Sequence, residues 1–306
     1  MATPESRDPA QPPEWFTTAL AVPARLATTA VDGTKIAYRT YGDRKDGLLV
    51  LIHGGAAHAR WWDHVAPLLT KAHRVVAIDL SGHGDSGRRG RYTLDLWARE
   101  VIAVAADAGS GVPPIIIGHS LGGFVALRAA SMHGAQIAGA VVIDSPVRDM
   151  TPEERAARER RAFGPLVVYP SPEAAIAQFR PIPAQPTLPY VAAHVARTSI
   201  RQVDGGWTWK FDPRIFVREQ SPTALLTRFD CRVAVFRAEH GILSPRMSEI
   251  IYDRLGRVTP VIEIPAAGHH VMLDQPLALA TGMRTLLCDW HHSTPVTPSP
   301  PPHPSA

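Results

Sequence analysis

Hydrophobic and polar positions follow two rhythms along this chain, and the changes of rhythm mark its elements. Arg25–Thr29 and Lys35–Tyr41 alternate with period two, as half-buried strands do, and Asp32-Gly33 between them signals a turn. The next apolar stretches are short and continuous: Leu48–Ile52, Val75–Ile78, Ile115–Ile117 and Ala140–Ile143. Runs of that length predict strands covered on both faces. Between them the spacing turns helical, over Trp61–Leu69, from Leu94 to about Ala108, and from just after Ser120 to about His133. Strands alternating with helices imply βαβ units and a parallel sheet.

The alternation stops near residue 150. Thr151-Pro152-Glu153-Glu154 reads as a capping box with proline at the first helical position, and it opens a stretch carrying Arg155, Arg158, Arg160 and Arg161. Ser171-Pro172 opens a second helix, and Thr187 to about Val203 is expected to contain a third. No strong strand pattern occurs in this region, so residues 151–222 are predicted to be a helical insertion. The alternation then resumes with a strand at Arg232–Phe236, a helix near Pro245–Leu255, a strand at Val261–Ile264 and a closing helix from Pro276 to Trp290. Residues 24–150 and 223–291 therefore form the expected core. Residues 1–23 are expected to be disordered or extended, and the Pro-, Ser- and Thr-rich stretch 292–306 a disordered tail.

Composition narrows the picture. A chain of 306 residues can bury a large core. Its formal net charge of +4 is small and is not gathered in one run, which argues against a nucleic-acid partner. Cys231 and Cys288 sit in no metal or redox spacing and are expected to be reduced core thiols of a cytoplasmic protein. No stretch approaches the length of a membrane span, and Met1–Glu14 lacks the apolar segment of a secretory signal. The expected partner is a small molecule, with no cofactor, metal or membrane; the oligomeric state is not legible.

The chemistry centres on Ile115-Ile116-Ile117-Gly118-His119-Ser120-Leu121-Gly122-Gly123. A buried strand leads into Gly-x-Ser-x-Gly and a helix follows without room for a loop, so the chain must turn sharply at Ser120. A serine on such a turn projects its Oγ above the sheet, and the opening helix aims free N–H groups toward it. Serine needs a base, and the base an orienting acid. His269 and His270, in the loop after the last strand, compete for the first role, since neighbouring side chains point to opposite sides. Two carboxylates compete for the second. Asp144 ends the strand expected beside the Ser120 strand, about 4.8 Å away; Glu239 is the only carboxylate in the loop after Arg232–Phe236. Developing negative charge needs two N–H donors. Leu121, after the nucleophile, is one candidate, and Gly55 in the His53-Gly54-Gly55 loop is the other.

Two tempting signals fail. Gly82-His83-Gly84-Asp85-Ser86-Gly87 fits a dinucleotide fingerprint, but Arg88-Arg89-Gly90-Arg91 stands where the helix should open, and no acidic residue ends a strand about 20 residues on. His53, His58 and His64 are spaced too irregularly for a helical metal pair, and His53 reads as a loop brace.

These motifs together, His53-Gly54-Gly55, Asp79-Leu80-Ser81-Gly82-His83-Gly84-Asp85-Ser86, Gly118-His119-Ser120-Leu121-Gly122-Gly123 and Gly268-His269, resemble the α/β-hydrolase superfamily over roughly residues 24–291. The resemblance implies an eight-stranded, mostly parallel sheet flanked by helices, with a helical cap inserted after the sixth strand and covering the site. It favours His269, because Gly268-His269 and the following Leu273-Asp274-Gln275-Pro276 fit a recurrent pattern. It also supports Asp144, since a subset of relatives carries the acid after the sixth strand. Ser120 argues against haloalkane dehalogenases and epoxide hydrolases, which need a carboxylate there. The implied activity is hydrolysis of a small or medium carboxylic ester, lactone or thioester. Carbon–carbon bond hydrolysis of a diketone and non-enzymatic ligand binding are the alternatives. Trp61, Trp62, Trp207 and Trp209 are the candidate apolar lining of a substrate pocket.

Overall fold

A computed structural model describes residues 11–43, 47–109, 111–148, 151–162, 166–216, 222–226 and 228–293. Eight strands form one sheet: β1 (Arg25–Val31), β2 (Thr34–Tyr41), β3 (Leu48–Ile52), β4 (Arg74–Ile78), β5 (Ile115–His119), β6 (Gly139–Ile143), β9 (Arg232–His240) and β10 (Val261–Gly268). The intervening β7 (Ile200–Val203) and β8 (Gly206–Trp209) form a separate two-stranded ribbon. The sheet order is β1-β2-β4-β3-β5-β6-β9-β10. Only β2 runs against its neighbours β1 and β4; the other pairs are parallel.

The central strands show why continuous apolar runs are needed. β3 is buried along its whole length. Val50 and Ile52 pack into the core on one face, Leu49 and Leu51 into the core on the other. Helices α2 (Leu94–Ala108) and α3 (Leu121–His133) cover the first face, and α9 (Pro276–His292) covers the second. Parallel strands place their C-terminal ends along one edge, where the Ser120, Asp144 and His269 segments meet.

Between β6 and β9 the chain forms α4 (Pro152–Ala162), α5 (Pro172–Ile176) and α6 (Pro189–Thr198) before the β7–β8 ribbon. The third helix falls inside the expected stretch, and the ribbon corrects only the expectation of an all-helical insertion. Asp204-Gly205 makes its turn, with positive φ of 82° at Gly205 and 149° at Gly206. The side chains of Arg155, Arg158 and Arg161 lie outside the described residues, while Arg160 is exposed.

Three further expectations change. Trp61–Leu69 is not one helix but two short 3-10 turns, Ala59–Trp62 and Ala66–Leu69, because Pro67 cannot donate the hydrogen bond a continuous α-helix needs. Residues 1–23 are not wholly disordered or extended: Glu14–Ala21 forms α1, which buries Phe16 and Ala19. Residues 1–10 and the tail beyond Ser293 lie outside the described residues. Cys288 is exposed on α9 and not a core thiol; Cys231 is half-buried, and burial pushes its thiol up to about 11. Among the described residues, no helix is long and apolar enough to cross a membrane. α7 (Pro245–Arg254) and α8 (Val271–Asp274) complete the helices.

Candidate active site

The turn between β5 and α3 is as tight as its glycines imply. A Cβ on Gly118 would stand 2.0 Å from the carbonyl oxygen of Gly122, and one on Gly122 would stand 2.6 Å from that of Ile52. With strand and helix this close, Ser120 is forced to φ 51° and ψ −112°, a conformation that L-residues rarely adopt. Its backbone is pinned on both sides: its N–H donates to Ile143 at 2.9 Å, and Ser145 Oγ donates to its carbonyl at 2.8 Å. Ser120 itself is half-buried.

One strand over, Asp144 also takes a positive φ, 44°, and is fully buried. Its Oδ2 accepts from His269 Nδ1 at 2.7 Å and from the N–H of Ile242 at 2.8 Å. Its Oδ1 accepts from the N–H groups of Ala238 and Leu243 at 3.2 and 3.3 Å. Four donors on one carboxylate suit its ionised form. A carboxylate that only accepts fixes the His269 tautomer with its proton on Nδ1, leaving Nε2 with a lone pair. Glu239, the rival acid, is not brought to His269. It is exposed, and its Oε2 accepts instead from the N–H of Ala266 at 2.7 Å.

His270 points elsewhere. Its Nε2 meets the carbonyl of Ile182 at 3.1 Å, and burial together with the neighbouring His269 lowers its pKa to about 3. His119, beside Ser120 in sequence, packs its ring 4.7 Å from that of His269 and sets Nε2 at 2.8 Å from the His269 carbonyl. Its motif position alone gave no sign that it would brace the His269 backbone.

The loop after β3 lies against the start of α3. A Cβ on Gly54 would lie 2.9 Å from His119 Nδ1 and 3.4 Å from Ser120 Cβ; one on Gly55 would lie 3.9 Å from Leu121 Cβ and 3.6 Å from the Phe216 ring. Gly55 and Leu121, the two expected N–H donors, are thus neighbours. His53 braces this loop, as expected: its Nδ1 donates to the Gly54 carbonyl at 2.7 Å and its Nε2 accepts from Leu80 N–H at 3.2 Å. Burial lowers its pKa to about 4, so it is neutral in this role. His58 and His64 bond separately, to Ser199 Oγ and to the Met272 carbonyl. The glycine-rich stretch 82–87 wraps a side chain. Asp79 accepts from the N–H groups of Ala59 and Asp85 at 2.6 and 2.8 Å, and a Cβ on Gly84 would come within 2.2 Å of its carboxyl carbon.

The insertion reaches this edge through long-range polar contacts. Gln185 Oε1 accepts from His270 N–H at 2.7 Å, and its Nε2 donates to Asp274 at 2.9 Å. His194 on α6 bonds Asp63, whose carboxylate also receives Tyr41, Arg39 and Arg60. Burial alone would raise the Asp63 pKa, but these donors hold it well below the usual carboxylate range. Of the four tryptophans, Trp61 lies near the site, its ring 5.4 Å from His270 and 6.1 Å from Phe179. Trp209 also packs against Phe179, at 6.3 Å. Trp207 is half-buried and pairs its backbone with Tyr169. Trp62 has no exposed surface and belongs to the core, so it cannot line a pocket. Gln185, Phe179 and Phe216 carry no local signal in the sequence; only the fold brings them here.

Known proteins resemble this chain in sequence and fold. The model of the alpha/beta hydrolase family matches residues 49–281. The esterase Rv0045c of Mycobacterium tuberculosis is 24% identical over 247 residues, covering 78% of this chain and 82% of that protein. Methylesterase 9 of Arabidopsis thaliana is 37% identical over 105 residues, 33% of this chain and 41% of its own length. Among solved structures, the thioesterase domain from the curacin biosynthetic pathway superposes with a TM-score of 0.72 at 19% identity, covering 86% of this chain and 99% of that one.

Proposed function

The chain belongs to the alpha/beta hydrolase family, and from that premise we propose that it is a serine hydrolase cleaving small or medium carboxylic esters, lactones or thioesters through an acyl-enzyme on Ser120. One observation carries the reading. The buried Asp144 carboxylate holds His269 by Nδ1 at 2.7 Å, which leaves Nε2 as the base, and the His269 ring packs 4.7 Å from that of His119, the residue before Ser120 on the strained turn. The esterase and methylesterase among the relatives support the ester class.

In this reading His269 Nε2 removes the Ser120 hydroxyl proton as Oγ attacks the substrate carbonyl. The tetrahedral oxyanion is held by the N–H groups of Leu121 and Gly55. His269 then gives its proton to the leaving alcohol or thiol, and the acyl-enzyme forms. Water, deprotonated by the same nitrogen, reverses the sequence and releases the acid. Asp144 stays ionised throughout and stabilises the imidazolium. Trp61, Phe179, Trp209 and Phe216 offer an apolar wall, which suits an acyl or alkyl group with little charge.

A fluorophosphonate reagent tests this directly. It is expected to label the wild type at Ser120, and Ser120→Ala is expected to lose both labelling and p-nitrophenyl ester turnover, by at least about 10³-fold. Labelling at another residue, or a Ser120→Ala variant with wild-type turnover, overturns the assignment. Product analysis on esters against diketones separates ester from carbon–carbon cleavage.

A further inference from the structure

Three imidazoles crowd the end of β5. His119, His269 and His270 are 1%, 3% and 7% exposed, and one ring nitrogen from each lies within 4.8 Å of one from each of the others. Their hydrogen bonds decide where the protons sit. His119 Nε2 faces a carbonyl and must donate, which leaves Nδ1 with a lone pair. His270 Nε2 likewise faces a carbonyl, which leaves its Nδ1. His269 Nδ1 faces a carboxylate, which leaves Nε2. Three adjacent rings thus each retain one lone-pair nitrogen. Those of His119 and His270 are buried and have no hydrogen-bond partner among the described residues.

Such a group calls for a positive charge or a donor. Protonation is a poor answer. All three rings are buried and packed against one another, so a proton added to one would leave a charge unsolvated against two other imidazoles. A metal ion answers better. Neutral imidazoles are the form that binds metal, and a carboxylate on the far nitrogen, as Asp144 is on His269, is the usual orienting partner of a metal-bound histidine. The backbone carbonyls on His119 and His270 serve the same purpose. An all-nitrogen set favours zinc, copper, nickel or cobalt over magnesium and calcium.

We propose that His119, His269 and His270 form a site for a divalent transition metal of the zinc class, and that its occupancy switches off hydrolysis. Zinc–nitrogen bonds of about 2.0–2.1 Å place tetrahedral ligands about 3.4 Å apart, so binding draws the three rings together. The metal takes the Nε2 lone pair that would accept the Ser120 proton. No covalent change is involved, and chelation restores the base. The inhibitory half rests on the role proposed above for His269; the binding half does not.

The test uses the full-length chain, free of any histidine tag and stripped with EDTA. Titration with Co²⁺ is expected to give one ion per chain, with the intense visible absorption of a tetrahedral nitrogen site. Zn²⁺ is expected to abolish p-nitrophenyl ester turnover, EDTA to restore it and Mg²⁺ to leave it unchanged. His270→Gln and His119→Gln are expected to weaken Co²⁺ binding at least tenfold, whereas Ser120→Ala binds Co²⁺ like the wild type. If His119→Gln does not fold, His270→Gln decides alone. Wild type without the absorption, or a folded His270→Gln that binds Co²⁺ like the wild type, overturns the site. Turnover unaffected by Zn²⁺ at saturating Co²⁺-site occupancy overturns the switch. A metal-free wild type that hydrolyses no ester while still binding Co²⁺ sinks the hydrolase reading and the switch, and upholds the site.

Discussion

β6 and β9 lie side by side in the sheet, end at the same edge and each deliver one carboxylate just there, yet the two carboxylates have opposite surroundings. Asp144 is fully buried, with three backbone N–H groups and His269 around it. Glu239 is exposed and holds one backbone N–H, that of Ala266 at the irregularity in β10. The three N–H groups on Asp144 belong to Ala238, Ile242 and Leu243, so the segment that carries Glu239 builds the cage around Asp144. The end of β9 and the loop after it surround Asp144 with their backbone and not with Glu239. What decides between two nearby carboxylates is therefore where donors converge. An anion leaves water only when its lone pairs are met.

The largest effect should come from breaking the caged partner. Asp144→Asn keeps the shape but cannot accept at both oxygens and disfavours the required His269 tautomer, so kcat on a p-nitrophenyl ester should fall about 10³–10⁴-fold. Activity near wild type in that variant would remove Asp144 from the reading. A smaller effect should follow from crowding the cage while leaving the acid in place. A Cβ on Gly241 would come within 2.3 Å of Asp144 Oδ1, so Gly241→Ala must displace the loop or the carboxylate. We expect about 1–3 kcal/mol lower stability in thermal or urea melts and a kcat down about 10–100-fold. The smallest effect belongs to the other member of the pair. Glu239→Gln should change kcat by less than about twofold, and a loss as large as that of Asp144→Asn would erase the contrast.

The serine turn was legible in the sequence because its causes are local: Gly118 and Gly122 collide with backbone atoms a few residues away once either bears a side chain. Asp144 was nearly as legible, since ending the strand next to β5 places it within reach of whatever stands above Ser120. Choosing it over Glu239 from residue types alone was not possible, because the donors that discriminate are backbone groups of a loop. The insertion was the least readable region. The β7–β8 ribbon carried a usable sign, Asp204-Gly205 between alternating residues, masked by the helical pattern before it. Gln185 had no sign at all, since its role exists only once His270 and Asp274 are placed. Trp62 shows the limit of residue type, for the side chain at position 61 packs against His270 while its neighbour at position 62 is wholly core filling. Helix α1 buries only Phe16 and Ala19 out of eight residues, too short a pattern for a period and too short a helix to stand without docking.

That short helix has a consequence for anyone trimming the chain. Phe16 sets its ring 4.9 Å from Tyr190 and 6.3 Å from His194 on α6, and 5.7 Å from His64 in the loop below. Phe16, with Trp15 beside it, thus acts as a clasp between the insertion and the body. A shortened version that begins at β1, where the regular sheet starts, would keep every residue of the proposed triad and still cut that fastening. Its altered turnover would then report on how tightly the insertion is held to the body, and nothing about the proposed chemistry.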